Sequence, residues 1–150
     1  MARIGDPIVR SPDLEADSAL DPRFTGSDGA RPRLEVSGVP AGAVELAVIM
    51  HDPDAPSSNG FTHWTVYGLP PEDGPIDTDA PGVRFGPNST GATEYMAADP
   101  PAGSGAHHYT FWVYAVDVQI EDAPSREEFL ERYGDNIVGQ GRLVGTFENG

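Results

Sequence analysis

Polar side chains that can bind a ligand or take part in catalysis stand where the most apolar segments of the chain begin or end. They are two aspartates, three histidines and a tyrosine: Asp52, Asp54, His63, His107, His108 and Tyr109. An imidazole or a phenol can donate a hydrogen bond to an anionic oxygen, and a carboxylate can fix the tautomer of an imidazole by accepting its other N–H. If the segments are neighbouring strands, these groups converge on one rim, where an imidazole or a phenol can hold an anionic oxygen.

Each of these residues also has a purely structural interpretation. Aspartates in the DPDAP segment, residues 52–56, can satisfy backbone N–H groups in a turn. His63 stands beside Trp64 and can be a buried core histidine. Because adjacent positions of a strand point to opposite faces, we expect at most one of His107 and His108 to face the site.

Other kinds of chemistry have weaker support. Histidines and carboxylates can hold a metal, but no HxH, HxxxH or HxD spacing is found, so neither a metal site nor a resident cofactor is predicted. The absence of cysteine excludes thiolate catalysis and disulfides. Ser57, Ser58 and Ser104 lack the G-x-S-x-G pattern of a nucleophile turn, and Ser104 is interpreted as a loop residue. We therefore predict no catalytic residue.

The surrounding segments predict strands with turns between them. Apolar, aromatic and β-branched residues indicate strands at 34–36, 44–51, 62–69, 108–118 and 142–147. The near-continuous apolar run 44–51 predicts burial on both of its faces. One helix is convincing, in SREEFLERYG at 125–134, with Ser125 as its N-cap and Glu128 completing a capping box.

These elements predict a mainly β fold, a two-sheet sandwich with one or two short peripheral helices, formed by residues 1–150 as a single domain. Simple alternation along the third strand places Trp64 and Val66 on one face and His63 and Leu69 on the other. The glycine- and proline-rich segment 70–106 is predicted to be a long loop, of a length that is usually functional or disordered.

Charge is the most unusual property of the composition. The chain has 24 acidic residues and nine basic ones, all of which are arginine, so its formal net charge is −15. Self-repulsion at this charge is relieved by salt, so we interpret the chain as adapted to a salt-rich cytoplasm, as in haloarchaea. No basic patch is available for nucleic acid, and no 18-residue apolar stretch or apolar leader is found. We expect a cytoplasmic protein with no nucleic-acid partner and no membrane insertion.

Three segments together resemble the phosphatidylethanolamine-binding protein family, in particular its short bacterial and archaeal branch of Raf kinase inhibitor-like proteins. They are PRFTGSDGARPRLEVSGVPAGAVELAVIMHDPDAP at 22–56, FTHWTVYGLP at 61–70 and PPAGSGAHHYTFWVYAVD at 100–117. The resemblance implies a Greek-key β-sandwich with a large antiparallel central sheet, a smaller sheet and a pocket that accepts phosphate-like groups.

Carried over position by position, the resemblance implies a ligand-binding set formed by Asp52, Asp54, His63, Tyr95, Ala97, Pro100, His107 and Tyr109. His108 stands where the family usually has arginine. Before the proline pair, Ala97 and Ala98 replace a usual glycine and proline, although a backbone donor at Ala97 is retained. Asp99 adds negative charge close to the implied anion site. It predicts weaker anion affinity or a more cationic ligand.

The resulting leading hypothesis is a non-enzymatic binding protein for a small ligand that bears phosphate or carboxylate. One alternative is hydrolysis of an ester or phosphoester, with His63 or His107 as general base and Asp52 as its orienting acid. A second alternative is inhibition of a protease or kinase through the surface around the pocket. The sequence leaves a homodimer and an unidentified protein partner open. The Ala55–Pro56 bond is a candidate for the cis form.

Overall fold

Two β-sheets form the scaffold in the computed structural model, which describes residues 6–56 and 59–149. In chain order, the strands are β1 (Ile8–Arg10), β2 (Ser18–Ala19), β3 (Glu35–Ser37), β4 (Glu45–Asp52), β5 (Phe61–Leu69), β6 (Gly74–Pro75), β7 (Arg84–Phe85), β8 (His107–Val116) and β9 (Ile137–Phe147). The large sheet has the order β2-β9-β8-β4-β5-β7, and the small sheet has the order β1-β3-β6. Among the strands of the described residues, β2 and β9 pair in parallel and the other pairs are antiparallel. The predicted mainly β, two-sheet fold is confirmed.

Strand β4 lies at the centre of the large sheet between β8 and β5, and all eight of its residues are buried. On one face, Val48 and Met50 pack with residues of the small sheet such as Val36. On the other face, Ile49 packs in a cluster with Phe129 of the helix. The predicted burial of this strand on both faces is confirmed. Since a fully buried large apolar side chain stabilises the fold by about 1.5–3 kcal/mol, β4 provides a rigid base for the residues at its end.

The helix α1 (Arg126–Tyr133) covers the outer face of the large sheet. The Ser125 side chain accepts a hydrogen bond from the Glu128 backbone N–H, and the Glu128 side chain accepts one from the Ser125 backbone N–H, so the predicted capping box is present. Phe129 is fully buried below it. Short 3-10 helices lie at Pro22–Phe24 and Gly134–Asn136. The predicted short peripheral helices are therefore found.

The predicted alternation along β5 is wrong in two places. His63 and Trp64 both lie on the face toward the small sheet, because the register with β4 shifts between Met50 and His51. A second shift lies between Leu46 and Val48, opposite Gly68, and it brings Leu69 to the same face. A β-bulge adds one residue to one strand and reverses the alternation beyond it. The first bulge is the reason that His63 reaches the interior at the end of the sheet.

The last strand is longer than predicted, since β9 begins at Ile137 rather than at 142. Gly139 and Gly141 weaken the strand pattern of its first half. Gly141 is required there by close packing, because a Cβ atom at this position would collide with the backbone of Pro7. The full-length β9 pairs with β8 from Ile137 to Phe147.

Candidate functional site

A cavity of about 280 Å³ opens at one end of the large sheet, where β4 ends and β5 and β8 begin. Its lining consists of Asp52, Ala55, Pro56, Phe61, His63, Met96, Ala97, Asp99, Pro100, Pro101, His107 and Tyr109. The structure therefore brings together most of the residues that the sequence analysis selected. Typical ligand cavities have volumes of about 300–1,000 Å³. This one suits a small ligand or one group of a larger molecule.

Asp52 and His107 form a buried hydrogen-bonded pair in the wall of this cavity. The distance between Asp52 Oδ2 and His107 Nδ1 is 2.6 Å, and both side chains are only 4% exposed. The second carboxylate oxygen of Asp52 accepts the backbone N–H of Asp54 at 2.8 Å. Both carboxylate oxygens are therefore held in place, and His107 carries a hydrogen on Nδ1, since an ionised carboxylate can only accept.

The other ring nitrogen of His107 contacts Ser104. Ser104 Oγ lies 3.1 Å from His107 Nε2 and 2.6 Å from the carbonyl oxygen of Pro101, to which the hydroxyl donates. The loop role predicted for Ser104 is thus present, but the contact with His107 was missed. No sequence motif signals it, because the contact depends on a tight turn that brings residue 104 back to the start of β8. A serine three positions before a site histidine was the only available clue.

His63 is fixed by the loop that follows β7. Its Nδ1 lies 2.8 Å from the carbonyl oxygen of Met96, and its ring meets the rings of Phe61 and Tyr109 edge to face. Burial lowers the pKa of His63, although the backbone oxygens of Met96 and Ala97 act in the opposite direction. At neutral pH the ring is therefore uncharged, with its hydrogen on Nδ1.

Tyr109 contributes a phenol that stays protonated. The side chain is 1% exposed, and burial together with the negative charges of Asp52 and Asp99 raises its pKa. Within residues 6–56 and 59–149, its hydroxyl makes no hydrogen bond. The phenol O–H is therefore a donor available to a ligand at any physiological pH.

Two of the predicted residues lie outside the cavity wall. Asp54 Oδ2 accepts hydrogen bonds from the backbone and ring of His108, both at 2.7 Å, at the exposed rim. Burial acts to raise the pKa of Asp54, but these hydrogen bonds lower it overall. Tyr95 packs edge to face against Trp64 at 5.5 Å. Asp54 thus positions His108 and, through its N–H, Asp52, while Tyr95 supports the core below the site.

The two histidines of β8 divide as predicted, with His107 buried in the site and His108 exposed on the opposite side. The suggestion of a cis bond at Ala55–Pro56 is wrong. No cis peptide bond is found in the described chain, and this bond is trans. The turn is formed instead by the Asp52 side chain, which accepts the N–H two residues ahead.

Among the described residues that line the cavity, none carries a permanent positive charge. The lining contains no arginine, while Asp52 and Asp99 both carry carboxylates. Among the described residues, no group of three or more histidine, aspartate or glutamate side chains is arranged to hold a metal ion. Asp99 accepts a hydrogen bond from the Asn149 side chain at 3.2 Å. The site is therefore built from hydrogen-bond donors and carboxylates rather than from permanent cations.

A larger cavity, of about 660 Å³, lies between the two sheets beside Trp64. The guanidinium of Arg31 stacks over the Trp64 ring at 4.7 Å and donates to Thr78. Arg33 in the same wall is already paired with Asp13 at 2.8 Å. Neither histidine nor tyrosine lines this space. The smaller cavity is the better candidate for a functional site because the titratable groups converge there.

The comparisons with known proteins agree with this fold. The family model described as phosphatidylethanolamine-binding protein matches residues 10–148. The chain therefore belongs to the phosphatidylethanolamine-binding protein family, and the resemblance found in the sequence is confirmed. A UPF0098 protein of Methanothermobacter thermautotrophicus is 35% identical over 138 residues, which cover 85% of this chain and 89% of that protein.

Solved structures from the family superpose closely on this one. The Escherichia coli protein YbcL, described as a member of the mammalian PEBP family, has a TM-score of 0.86 at 27% identity, covering 97% of this chain and 99% of its own. A phosphatidylethanolamine-binding protein homologue of Chlamydia trachomatis has a TM-score of 0.85 at 28% identity, with the same coverage. The two-sheet architecture is thus shared over nearly the whole chain. In the described part of this chain, no helix is long and apolar enough to cross a membrane.

Proposed function

We propose that this protein binds a small ligand bearing a phosphate or carboxylate group in the cavity lined by Asp52, His63, His107 and Tyr109. The observation that carries the proposal is the convergence of two imidazoles and a phenol on one small cavity. Within the described residues, this phenol makes no hydrogen bond. The phenol O–H donates to an anionic oxygen at any physiological pH, and His63 adds a second donor when its Nε2 is protonated.

The charges around the cavity restrict the kind of anion. Asp52 is paired with His107, but Asp99 remains as an additional carboxylate in the lining. A dianion with no positive group would therefore be repelled by Asp99. We expect a ligand that combines an anionic group, held by Tyr109 and His63, with an ammonium group near Asp99.

Calorimetric titration tests this proposal with three ligands: inorganic phosphate, O-phosphoethanolamine and glycerol. O-Phosphoethanolamine should bind more tightly than phosphate, and glycerol should not bind. Asp99→Asn should remove the preference for the zwitterion because it removes the carboxylate that favours the ammonium group. Equal heats of binding for phosphate and glycerol would contradict the proposal.

A tyrosine pair provides the matched control. Tyr109→Phe removes one ligand hydrogen bond and should weaken phosphate binding about tenfold or more, since a hydrogen bond to a charged group contributes about 1.5–3 kcal/mol. Tyr114→Phe makes the same chemical change on the opposite face of β8, where Tyr114 packs against Phe129. It should leave binding unchanged.

A further inference from the structure

Three side chains form a continuous hydrogen-bonded series at the edge of the cavity. Ser104 Oγ contacts His107 Nε2 at 3.1 Å, and His107 Nδ1 contacts Asp52 Oδ2 at 2.6 Å. We propose that Ser104 is a nucleophile, activated by His107 and oriented through Asp52, that hydrolyses small carboxylic esters whose acyl group enters the cavity. This activity goes beyond ligand binding, and it supplies the nucleophile whose absence counted against hydrolysis in the sequence analysis.

The first support is the rigidity of the acid and the base. Asp52 is held at both oxygens, by the N–H of Asp54 and by the ring of His107. His107 is 4% exposed, so its ring cannot turn away from this arrangement without displacing its neighbours. A general base whose tautomer is fixed by a buried carboxylate keeps its other nitrogen ready to accept a proton from a hydroxyl.

The second support is the position of Ser104. It is exposed, and it stands between Gly103 and Gly105, whose φ angles of 79° and 84° lie in the left-handed region. The turn bonds the hydroxyl of this exposed residue to Pro101 and His107, both of which line the cavity. A substrate can therefore reach the oxygen from outside, whereas the base behind it is shielded from water.

The hydroxyl hydrogen has two acceptors within reach. In the resting arrangement it is directed to the Pro101 carbonyl oxygen at 2.6 Å. Rotation about the Cβ–Oγ bond transfers it to His107 Nε2 without any change in the position of the oxygen. Because the Pro101 carbonyl oxygen competes for this hydrogen, the hydroxyl donates to His107 for only part of the time. We therefore expect a low rate of ester hydrolysis.

The reaction follows the usual order of acyl transfer through a serine. Ser104 Oγ forms a bond to the ester carbonyl carbon, its proton passes to His107 Nε2, and the carbonyl electron pair moves to the oxygen. Collapse of this intermediate breaks the bond to the alcohol, which leaves with the proton from His107. Water then attacks the acyl group, gives a proton to His107, and Ser104 departs with that proton. The net products are a carboxylic acid and an alcohol.

The surroundings of Ser104 supply an apolar wall for the acyl group and backbone N–H groups for the oxyanion. Phe61, Met96 and Pro100 give the adjacent cavity an apolar wall that suits a short acyl chain. In the described residues, the backbone N–H groups of Gly105 and Ala106 donate no hydrogen bond. Backbone donors beside a nucleophile are the groups that stabilise the oxyanion of acyl transfer.

The test combines covalent labelling with kinetics on the purified full chain. A fluorophosphonate, which phosphonylates activated serines with loss of fluoride, is followed by peptide mass spectrometry, and p-nitrophenyl acetate hydrolysis is measured in parallel. We expect label on Ser104, loss of hydrolysis to the buffer rate in Ser104→Ala, and at least a tenfold decrease in Asp52→Asn. Ser37→Ala, an exposed serine on β3, should match the unaltered protein.

Several outcomes would overturn the proposal: no label on Ser104, equal labelling of Ser104 and Ser37, or full hydrolysis by Ser104→Ala. Far-ultraviolet circular dichroism of each variant separates a chemical loss from unfolding. O-Phosphoethanolamine binding by Ser104→Ala keeps the two proposals apart. A variant that binds this ligand but is neither labelled nor active supports both, whereas labelling of a protein that binds no anion would support the nucleophile alone.

Discussion

The Nδ1 atom of His63 lies 2.8 Å from the carbonyl oxygen of Met96, and this contact determines which ring nitrogen of His63 carries hydrogen. The backbones of the same two residues are also joined, since the Met96 N–H donates to the His63 carbonyl oxygen at 3.0 Å. With Nδ1 occupied and the pKa lowered mainly by burial, Nε2 has no hydrogen at neutral pH. His63 therefore becomes an anion donor only on acidification.

The first prediction concerns the pH dependence of anion binding. Sulfate affinity should increase as the pH falls below about 6.5, the ordinary histidine value, because the lowered pKa of His63 places its protonation on the acidic side. The increase is limited to about tenfold per pH unit for one linked proton. Sulfate is a dianion without a positive group, so its affinity should be low because of Asp99, but it is suitable because its own charge is constant over this range. Affinity that is independent of pH between about 7.5 and 5 would contradict the assignment of His63.

The second prediction concerns the side chain itself. His63→Gln retains polarity but cannot become a cation, so it should remove the part of the increase in sulfate affinity at low pH that His63 contributes and leave a weaker affinity. Arg132→Ala removes a cation that packs over the Tyr133 ring on the helix, and it should change neither the affinity nor its pH profile. If Arg132→Ala weakens binding as strongly as His63→Gln, general electrostatics rather than the cavity controls binding.

The third prediction concerns stability and His51, on the opposite face of the large sheet. Burial, together with the positive charge of Arg126, lowers the pKa of His51 from 6.5 to about 4. Protonation thus favours the unfolded chain, and the free energy of unfolding should decrease as the pH falls from about 6.5 to about 4. At about 1.4 kcal/mol per pKa unit, the decrease is roughly 3 kcal/mol.

Urea denaturation at a series of pH values measures this effect. His51→Gln keeps a polar group near Thr62, the hydrogen-bond partner of His51, and should have lower stability at neutral pH but a flatter pH profile. The difference in the free energy of unfolding between the two proteins should become smaller on acidification. Taking this difference cancels the contributions of the many carboxylates, which both proteins share. If the free energy of unfolding depends on pH in the same way in both proteins, His51 does not contribute to the pH dependence of stability.

The fourth prediction concerns salt. With a net charge of −15, repulsion between carboxylates should be relieved as the Debye length contracts from about 30 Å at 0.01 M to about 3 Å at 1 M. If screening contributes roughly 2 kcal/mol, the melting temperature in molar KCl should be about 4–8 °C higher. A flat melting temperature would remove the interpretation of the chain as halophilic.

The strands at the centre of the fold were predictable because their signals are local. All eight positions of β4 are buried, and residues 46–50 within it form an apolar run that is visible in the sequence. The capping box of α1 requires only Ser125 and Glu128. The family resemblance then placed the site residues. His63 is the instructive exception: it lies in the predicted strand, but not on the face that simple alternation gives. A bulge depends on the pairing of β5 with β4, which no single strand encodes.

The parts of the site that were missed depend on contacts between distant segments. Met96 reaches the His63 ring across 33 residues, and Asn149 binds the Pro100 carbonyl across 49 residues. Ser104 is a different case, since its contact with His107 is local. It was missed because known nucleophile motifs describe other folds, and only the geometry of this turn reveals the contact.

The position of β8 between β4 and β9 has a consequence for the kinetics of folding. The Asp52–His107 bond joins residues 55 positions apart, so its formation must overcome a large loop-closure entropy. A chain emerging from the ribosome carries Asp52 and His63 well before His107, and it cannot enclose the cavity until β8 has docked. A ligand that contacts both Asp52 and His107 has no affinity for folding intermediates in which β8 has not yet docked. Such a ligand should therefore slow unfolding while leaving the refolding rate unchanged.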